Sequence, residues 1–336
     1  MSKIRLAMIG CGGNSSGHAR RMDSNPDVQI VAACDVNTDI ADGSIDRNLP
    51  ELDPRPKAFD NIGRMLDTVK PDAVLISTPH TLHFEQGMKA LDAGCHVLME
   101  KPMVTAAQDA YRIAEKVKET GKVFVIGYNT PCTGNFYYLR ESIRNKTFGK
   151  LELVAGYITQ DWLRATKGAW RQKPALSGGG QAYDSGAHLL NSLCWSVESS
   201  VAEAHAFLDN HGSEVDINAS INIRFEGGVL AGIVISGNCP SPAGTHMAFI
   251  FDNGRIEIDG WSGGWIRVYE GTKQLESPPI TDDMSASSVD DNFIDAILGR
   301  AEPRTDPVNG IIQSELMDAI YESARTGQPA RPKRGQ

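Results

Sequence analysis

Apolar positions follow two different rhythms along the chain. In the first third, short and nearly continuous apolar runs occupy residues 4–9, 28–34, 73–76, 96–99 and 123–127, with a weaker one at 57–59. Between several of them lie segments with helical spacing, at residues 61–69, 82–93 and 106–120, while 35–56 reads as a polar, proline-bearing connection. Continuous apolar runs suit strands buried on both faces, and strand–helix–strand repetition with short links predicts a doubly wound parallel α/β sheet. From about residue 149 the rhythm changes to alternation, at 151–159, 201–208, 216–225, 229–236, 247–251, 255–258 and 265–269. Gly-Gly and Asn-Gly turns at 227–228 and 253–254 separate some of these. That pattern predicts a large open, mainly antiparallel sheet. A helix is expected at 185–197, two more at 289–298 and 309–324, and a partly ordered tail from Thr326. The expected division is one domain over residues 1–127 and an α+β domain over 128–336.

The first apolar run breaks into Gly10-Cys-Gly-Gly-Asn-Ser15 before a polar, helix-starting stretch. Gly10 permits a sharp turn, and Gly12 lets the backbone approach a pyrophosphate. The amides opening the helix at Gly13 and Asn14 then face that anion. Ser15 occupies the third small position of the G-x-G-x-x-G/A fingerprint. The second strand ends in Asp35, 23 residues beyond Gly12. A carboxylate there accepts from both hydroxyls of an adenosine ribose and repels a 2′-phosphate, so NAD is expected in preference to NADP. An ordinary α/β turn followed by a surface aspartate is the competing reading.

Length and charge narrow the picture. A chain of 336 residues suits two domains, and 41% hydrophobic with 22% charged residues is the composition of a globular protein. A net charge of −9 disfavours nucleic acid and anionic membrane as partners. Six scattered cysteines without a C-x-x-C pair read as reduced thiols of a cytoplasmic protein. The apolar run after Lys3 is too short for a signal peptide, and nothing approaches a bilayer span.

Two clusters carry candidate chemistry. Glu100-Lys101-Pro102 ends a central strand, where a lysine can hold a substrate hydroxyl or transfer its proton, and where the proline is a candidate cis bond. A solvated Lys–Glu pair is the plainer reading. Asp184-Ser-Gly-Ala-His188 follows Ser177-Gly-Gly-Gly180, with Asp184 placed as a helix cap and His188 and Asn191 on one helical face. A histidine oriented by a carboxylate can remove a hydroxyl proton at neutral pH; a capping aspartate and a core histidine are the alternative. His80-x-x-His83 could begin a metal site, but no third ligand follows at suitable spacing, so no metal is expected. Trp162 and Trp170 could stack on a sugar ring, while Trp261 and Trp265 are expected to pack a sheet or an interface.

Taken in order, Gly10–Ser15, Thr78-Pro79 with His83, Gly94–Pro102, Ser177–Gly180 with Asp184-x-Gly-x-His188, and Ala319–Ala324 resemble the glucose–fructose oxidoreductase / inositol dehydrogenase / rhizopine catabolism (Gfo/Idh/MocA) family. The resemblance implies oxidation of a secondary hydroxyl of a sugar or cyclitol to a ketone, and homodimers or homotetramers packed through the open sheet. It implies His188 as general base, Lys101 steering the hydroxyl, and Asp184 binding a hydroxyl or tuning the histidine. Glu100 would lie near the nicotinamide ribose, Thr78, Pro79 and His83 along the cofactor, and Asn129, Trp170 and Arg171 on the substrate or nicotinamide side. His80 departs from a frequent asparagine and Asn191 from a frequent aspartate, and 128–132 lacks the usual arginine-rich continuation. Two other activities fit the same motifs: a glycoside-cleaving enzyme that uses tightly bound NAD for transient oxidation and elimination, and a non-catalytic dinucleotide sensor.

Overall fold

A computed structural model describes residues 2–240, 242–276, 278–281, 284–285 and 288–335. The chain divides into two compact units. The first gathers residues up to Val104, Asp109–Gly127 and a returning segment that ends at Pro307. Its sheet contains β1 (Ile4–Ile9), β2 (Val28–Cys34), β3 (Lys57–Phe59), β4 (Ala73–Ile76), β5 (His96–Met99) and β6 (Phe124–Ile126). All neighbours are parallel, in the order β3-β2-β1-β4-β5-β6. Strand order reverses between β1 and β4, the position at which open α/β sheets leave a crevice at their carboxyl ends. Ala73–Ile76 and Val97–Met99 are wholly buried, as their apolar runs require.

Two features differ from the sequence pattern. The polar connection after Asp35 contains the helix Thr38–Asn48, whose cap Asn37 accepts from the Asp39 amide at 2.9 Å. The helix Val289–Ile297, expected within residues 128–336, packs in the first unit. Asp290 meets His18 at 2.6 Å, Asn25 donates to Asp291 at 2.9 Å, and Arg300 pairs with Asp27 at 2.6 Å. Further on, the Thr305 hydroxyl donates to the Ile126 carbonyl at 2.6 Å.

The second unit is built on an eight-stranded sheet: β7 (Leu151–Thr159), β8 (Val201–Asp209), β9 (Asn218–Phe225), β10 (Leu230–Ser236), β11 (Gly244–Phe251), β12 (Gly254–Ile258), β13 (Ile266–Glu270) and β14 (Lys273–Gln274). Its order is β14-β13-β12-β11-β7-β10-β9-β8, antiparallel except for the parallel pair β7–β10. Alternation sends Val154, Ile158, Ile221, Ile223, Ile233 and Phe249 into a core shared with Leu189, Leu193, Leu316 and Ile320 from the helices Gly186–Val197 and Pro307–Thr326. The opposite face exposes Leu153, Tyr157, Phe207, Leu230 and Val234. Gly134–Arg144 forms a further helix that the pattern of the sequence did not announce. The tail is fastened by a bridge between Ala330 and Ala204.

Candidate active site

The fingerprint turn is shaped by steric necessity. Gly10 has φ +86°, and a Cβ there would stand 2.7 Å from the Ser77 carbonyl oxygen. The helix Gly13–Ser24 then begins with Gly12 as cap, with no side-chain cap and no acidic residue in its first turn. A Cβ at Gly12 or Gly13 would enter open space, and Gly12, Gly13 and Asn14 are all exposed. Unsatisfied amides at a helix start, bare of side chains and of negative charge, fit a dinucleotide pyrophosphate. Buried Ser15 closes the turn by donating to the Gly12 carbonyl at 2.6 Å. Asp35 stands half-exposed at the end of β2 and accepts the Cys11 amide at 2.9 Å, which holds its carboxylate in place.

At the neighbouring strand ends, Thr78 donates to Gln86 at 2.6 Å. His83 is fully buried, with its ring nitrogens 2.8 Å from the Pro102 carbonyl and 2.9 Å from the Thr78 carbonyl. Burial pushes its pKa down despite those carbonyls. His83 thus joins the two strand-end loops that carry Thr78 and Pro102. Pro79 and His80 complete the turn above it, and His80 is itself buried.

Glu100 and Lys101 follow β5. The Lys101 amide donates to Glu100 Oε2 at 3.1 Å, Lys101 is buried, and the Lys101–Pro102 peptide is cis. Glu100 Oε1 lies 2.8 Å from His18 Nε2. A Cβ on Gly127 would come within 3.3 Å of the Glu100 Cα, so this edge of the turn is closely packed. His18, which the sequence reading passed over, lies three residues beyond Ser15 on the helix that the fingerprint opens.

In the second unit Asp184 is buried but does not cap the helix, contrary to expectation. Ser185 is the cap residue of Gly186–Val197, and it makes no side-chain cap bond. The Asp184 carboxylate instead accepts from Trp162 Nε1 at 2.7 Å and from Arg171 Nε at 3.0 Å. The Arg171 guanidinium lies over the Trp170 ring, 4.6 Å from its centre. These contacts bring Trp170, Arg171 and Asp184 together. His188 lies against Trp261, with ring centres 4.3 Å apart, and meets Tyr128 edge-on at 5.7 Å. Trp261 thus frames the histidine instead of only packing the sheet, and nothing in its Trp-Ser-Gly-Gly context signals this. Asn129 is exposed directly after Tyr128. Asn191 donates to Asn309 at 2.7 Å and to Gln313 at 3.0 Å, which ties it to the closing helix. Buried Asp216 accepts the amides of Gly180 at 2.7 Å and Ala182 at 2.9 Å, and fixes the glycine run that leads to Asp184. Among the described residues no group of three or more His, Cys, Asp or Glu is arranged to hold a metal ion.

A parallel sheet of order 3-2-1-4-5-6, a helix start without a side-chain cap at its switch point and a carboxylate at the end of the next strand define a dinucleotide-binding fold. Residues 4–128 match the family described as "Oxidoreductase family, NAD-binding Rossmann fold", and residues 136–263 match the "GFO/IDH/MocA C-terminal domain". The chain belongs to the Gfo/Idh/MocA family of oxidoreductases. It is 26% identical to D-glucoside 3-dehydrogenase of Escherichia coli (strain K12) over 97% of both chains. Among solved structures, an NAD-binding protein from Listeria innocua superposes with a TM-score of 0.81 at 25% identity, over 99% of this chain and 98% of that one. The WlbA dehydrogenase from Bordetella pertussis, solved with NADH and UDP-GlcNAcA, shares the fold at TM-score 0.83 and 22% identity, over 98% and 99% of the two chains.

Proposed function

We propose that this enzyme oxidises a secondary hydroxyl of a sugar, sugar derivative or cyclitol to a ketone, with NAD preferred to NADP. The observation that carries the reading is the Asp184–His188 segment: a buried carboxylate fixed by Trp162 and Arg171, and one helical turn on an imidazole framed by Trp261 and Tyr128. Aromatic faces beside polar groups suit the alternating C–H and O–H surfaces of a polyol. The full-length similarity to a glucoside 3-dehydrogenase supports the same substrate class.

NAD, when bound, supplies the hydride acceptor. A ring nitrogen of His188 takes the hydroxyl proton, and Lys101 orients that hydroxyl and stabilises its developing negative charge. Asp184, Trp170 and Arg171 hold other parts of the substrate. The residues assigned to the cofactor are Gly10, Gly12, Gly13, Asn14, Asp35, Thr78, Pro79, His83, Glu100 and Asn129. Asp35 supports the preference for NAD, since its carboxylate would repel a 2′-phosphate. The six free cysteines suit a reducing, cytoplasmic setting. The exposed apolar face of the eight-stranded sheet, with Phe207 64% and Val234 50% accessible, fits a second copy of the chain in a homodimer or homotetramer.

A panel of sugars, glycosides and inositols assayed with NAD and with NADP tests this reading. Replacing His188 with asparagine or Lys101 with alanine should lower kcat by about a hundredfold or more for the substrate that responds. A clear preference for NADP would contradict the role given to Asp35.

A further inference from the structure

We propose that His18 is a positioning residue that holds Glu100, and through it the Lys101 backbone, in one geometry, using Asp290 from the returning helix Val289–Ile297 as its anchor. The inference rests on the reading that Glu100 and Lys101 border the nicotinamide. His18 is nine-tenths or more buried, and each ring nitrogen faces a carboxylate: Nε2 lies 2.8 Å from Glu100 Oε1, and Nδ1 lies 2.6 Å from Asp290 Oδ1. A neutral imidazole has one N–H, so one of those carboxylates would then face a lone pair. Only the doubly protonated ring satisfies both. Arg21, on the same helix, donates through Nε to Asp290 Oδ2 at 2.5 Å; its Nη2, 3.2 Å from His18 Nδ1, makes no hydrogen bond to that nitrogen once it is protonated, and the two cations meet across the Asp290 carboxylate. Two carboxylates and two cations then balance.

The three elements packed against one another thus contribute Glu100 from the end of β5, Asp290 from the returning helix, and His18 with Arg21 from the fingerprint helix. Burial disfavours the charged ring, but the hydrogen bonds it donates to Asp290 and then to Glu100 outweigh it and raise the His18 pKa to about 9. Glu100 uses Oε1 for His18 and Oε2 for the Lys101 amide, so rotation of this carboxylate would disturb the lysine directly. A carboxylate pinned at both oxygens still has lone pairs with which to accept a ribose hydroxyl.

The test is NADH binding to the full chain, followed by nicotinamide fluorescence from pH 6 to pH 10, for the wild type, Asp290→Asn and His18→Gln. The wild-type dissociation constant should stay level to about pH 8 and rise as His18 loses its proton near pH 9. Asp290→Asn keeps an acceptor oxygen but removes one charge, so the break should move down by about one pH unit or more. His18→Gln should weaken NADH by about tenfold and abolish this break. A direct reading needs no variant: in histidine-labelled wild-type protein, the His18 ring should remain doubly protonated at pH 8. A break unmoved by Asp290→Asn, or a His18 ring neutral at pH 8, overturns the role of His18 while wild-type NADH binding stands. Failure of the wild type to bind NADH overturns the cofactor reading as well.

Discussion

Asp216 offers a measurable handle on the segment that carries the candidate base. Its carboxylate is 3% accessible and accepts the Gly180 and Ala182 amides and the Tyr321 hydroxyl. A Cβ on Gly180 would stand 1.9 Å from the Asp216 carbonyl oxygen, so the loop has no room to relax inward. Burial, reinforced by the Asp216 charge, holds the Tyr321 phenol well above its ordinary pKa, and this donor persists into alkaline solution. Asp216→Ala strands two buried amides and a hydroxyl. Each bond to a charged acceptor contributes about 1.5–3 kcal/mol, but the three form one unit, so we expect a loss of about 3–5 kcal/mol. Tyr321→Phe removes a single donor and leaves both amides satisfied, for about 1–2 kcal/mol. All five tryptophans, at positions 162, 170, 195, 261 and 265, lie in the second unit, so urea unfolding followed by tryptophan fluorescence reports this unit selectively. Asp216→Ala should also lower kcat, because Asp184 follows the loosened turn. An Asp216→Ala midpoint within about 1 kcal/mol of the wild type, at unchanged slope, would refute the assignment.

Gly10→Ala combines a φ of +86° with a 2.7 Å approach to the Ser77 carbonyl oxygen, and should cost about 2–4 kcal/mol together with most NADH affinity; a variant of wild-type stability would show that the turn can shift. The raised pKa of His18 has a definite sign for stability. Its folded value, about 9, exceeds the unfolded value near 6.5, so the stabilisation is complete below about pH 6.5 and disappears as pH rises through 9. About 2.5 pH units correspond to about 3 kcal/mol, read as a fall in Tm between pH 6.5 and 10 that Asp290→Asn should shrink. A profile identical in wild type and variant would speak against the buried imidazolium. Phe207→Asp, on the exposed sheet face, should shift sedimentation toward the monomer, and an unchanged assembly would remove that face from consideration.

Much of the fold was legible because its periodicities are strong. The boundaries of β3, β4, β5 and β7 fall where the apolar runs placed them, and the fingerprint context pointed to the switch point. Long-range pairing was not legible. Chain order assigned Val289–Ile297 to the second domain, and it is contacts across the chain, such as that of Asp290 with His18, 272 residues apart, that show where it packs. The helix Thr38–Asn48 was hidden because Asp39, Asp42, Asp46 and Arg47 dilute the few apolar positions it buries, chiefly Ala41 and Ile45. Asp184 looked like a cap from its spacing, yet its carboxylate turns to Trp162, 22 residues back, and Ser185 occupies the cap position. That His83 joins two loops through the Pro102 and Thr78 carbonyls was not legible, because it depends on burial rather than on sequence spacing.

Hydride transfer from a polyol to NAD with His188 as the base can be measured directly. With purified protein, the responding polyol and NAD in excess, absorbance of the reduced nicotinamide should rise steadily, mole for mole with ketone. The rise should fall to about one hundredth or less in His188→Asn at neutral pH. Consumption of a glycoside without NADH release, or an undiminished rate in the variant, would contradict it.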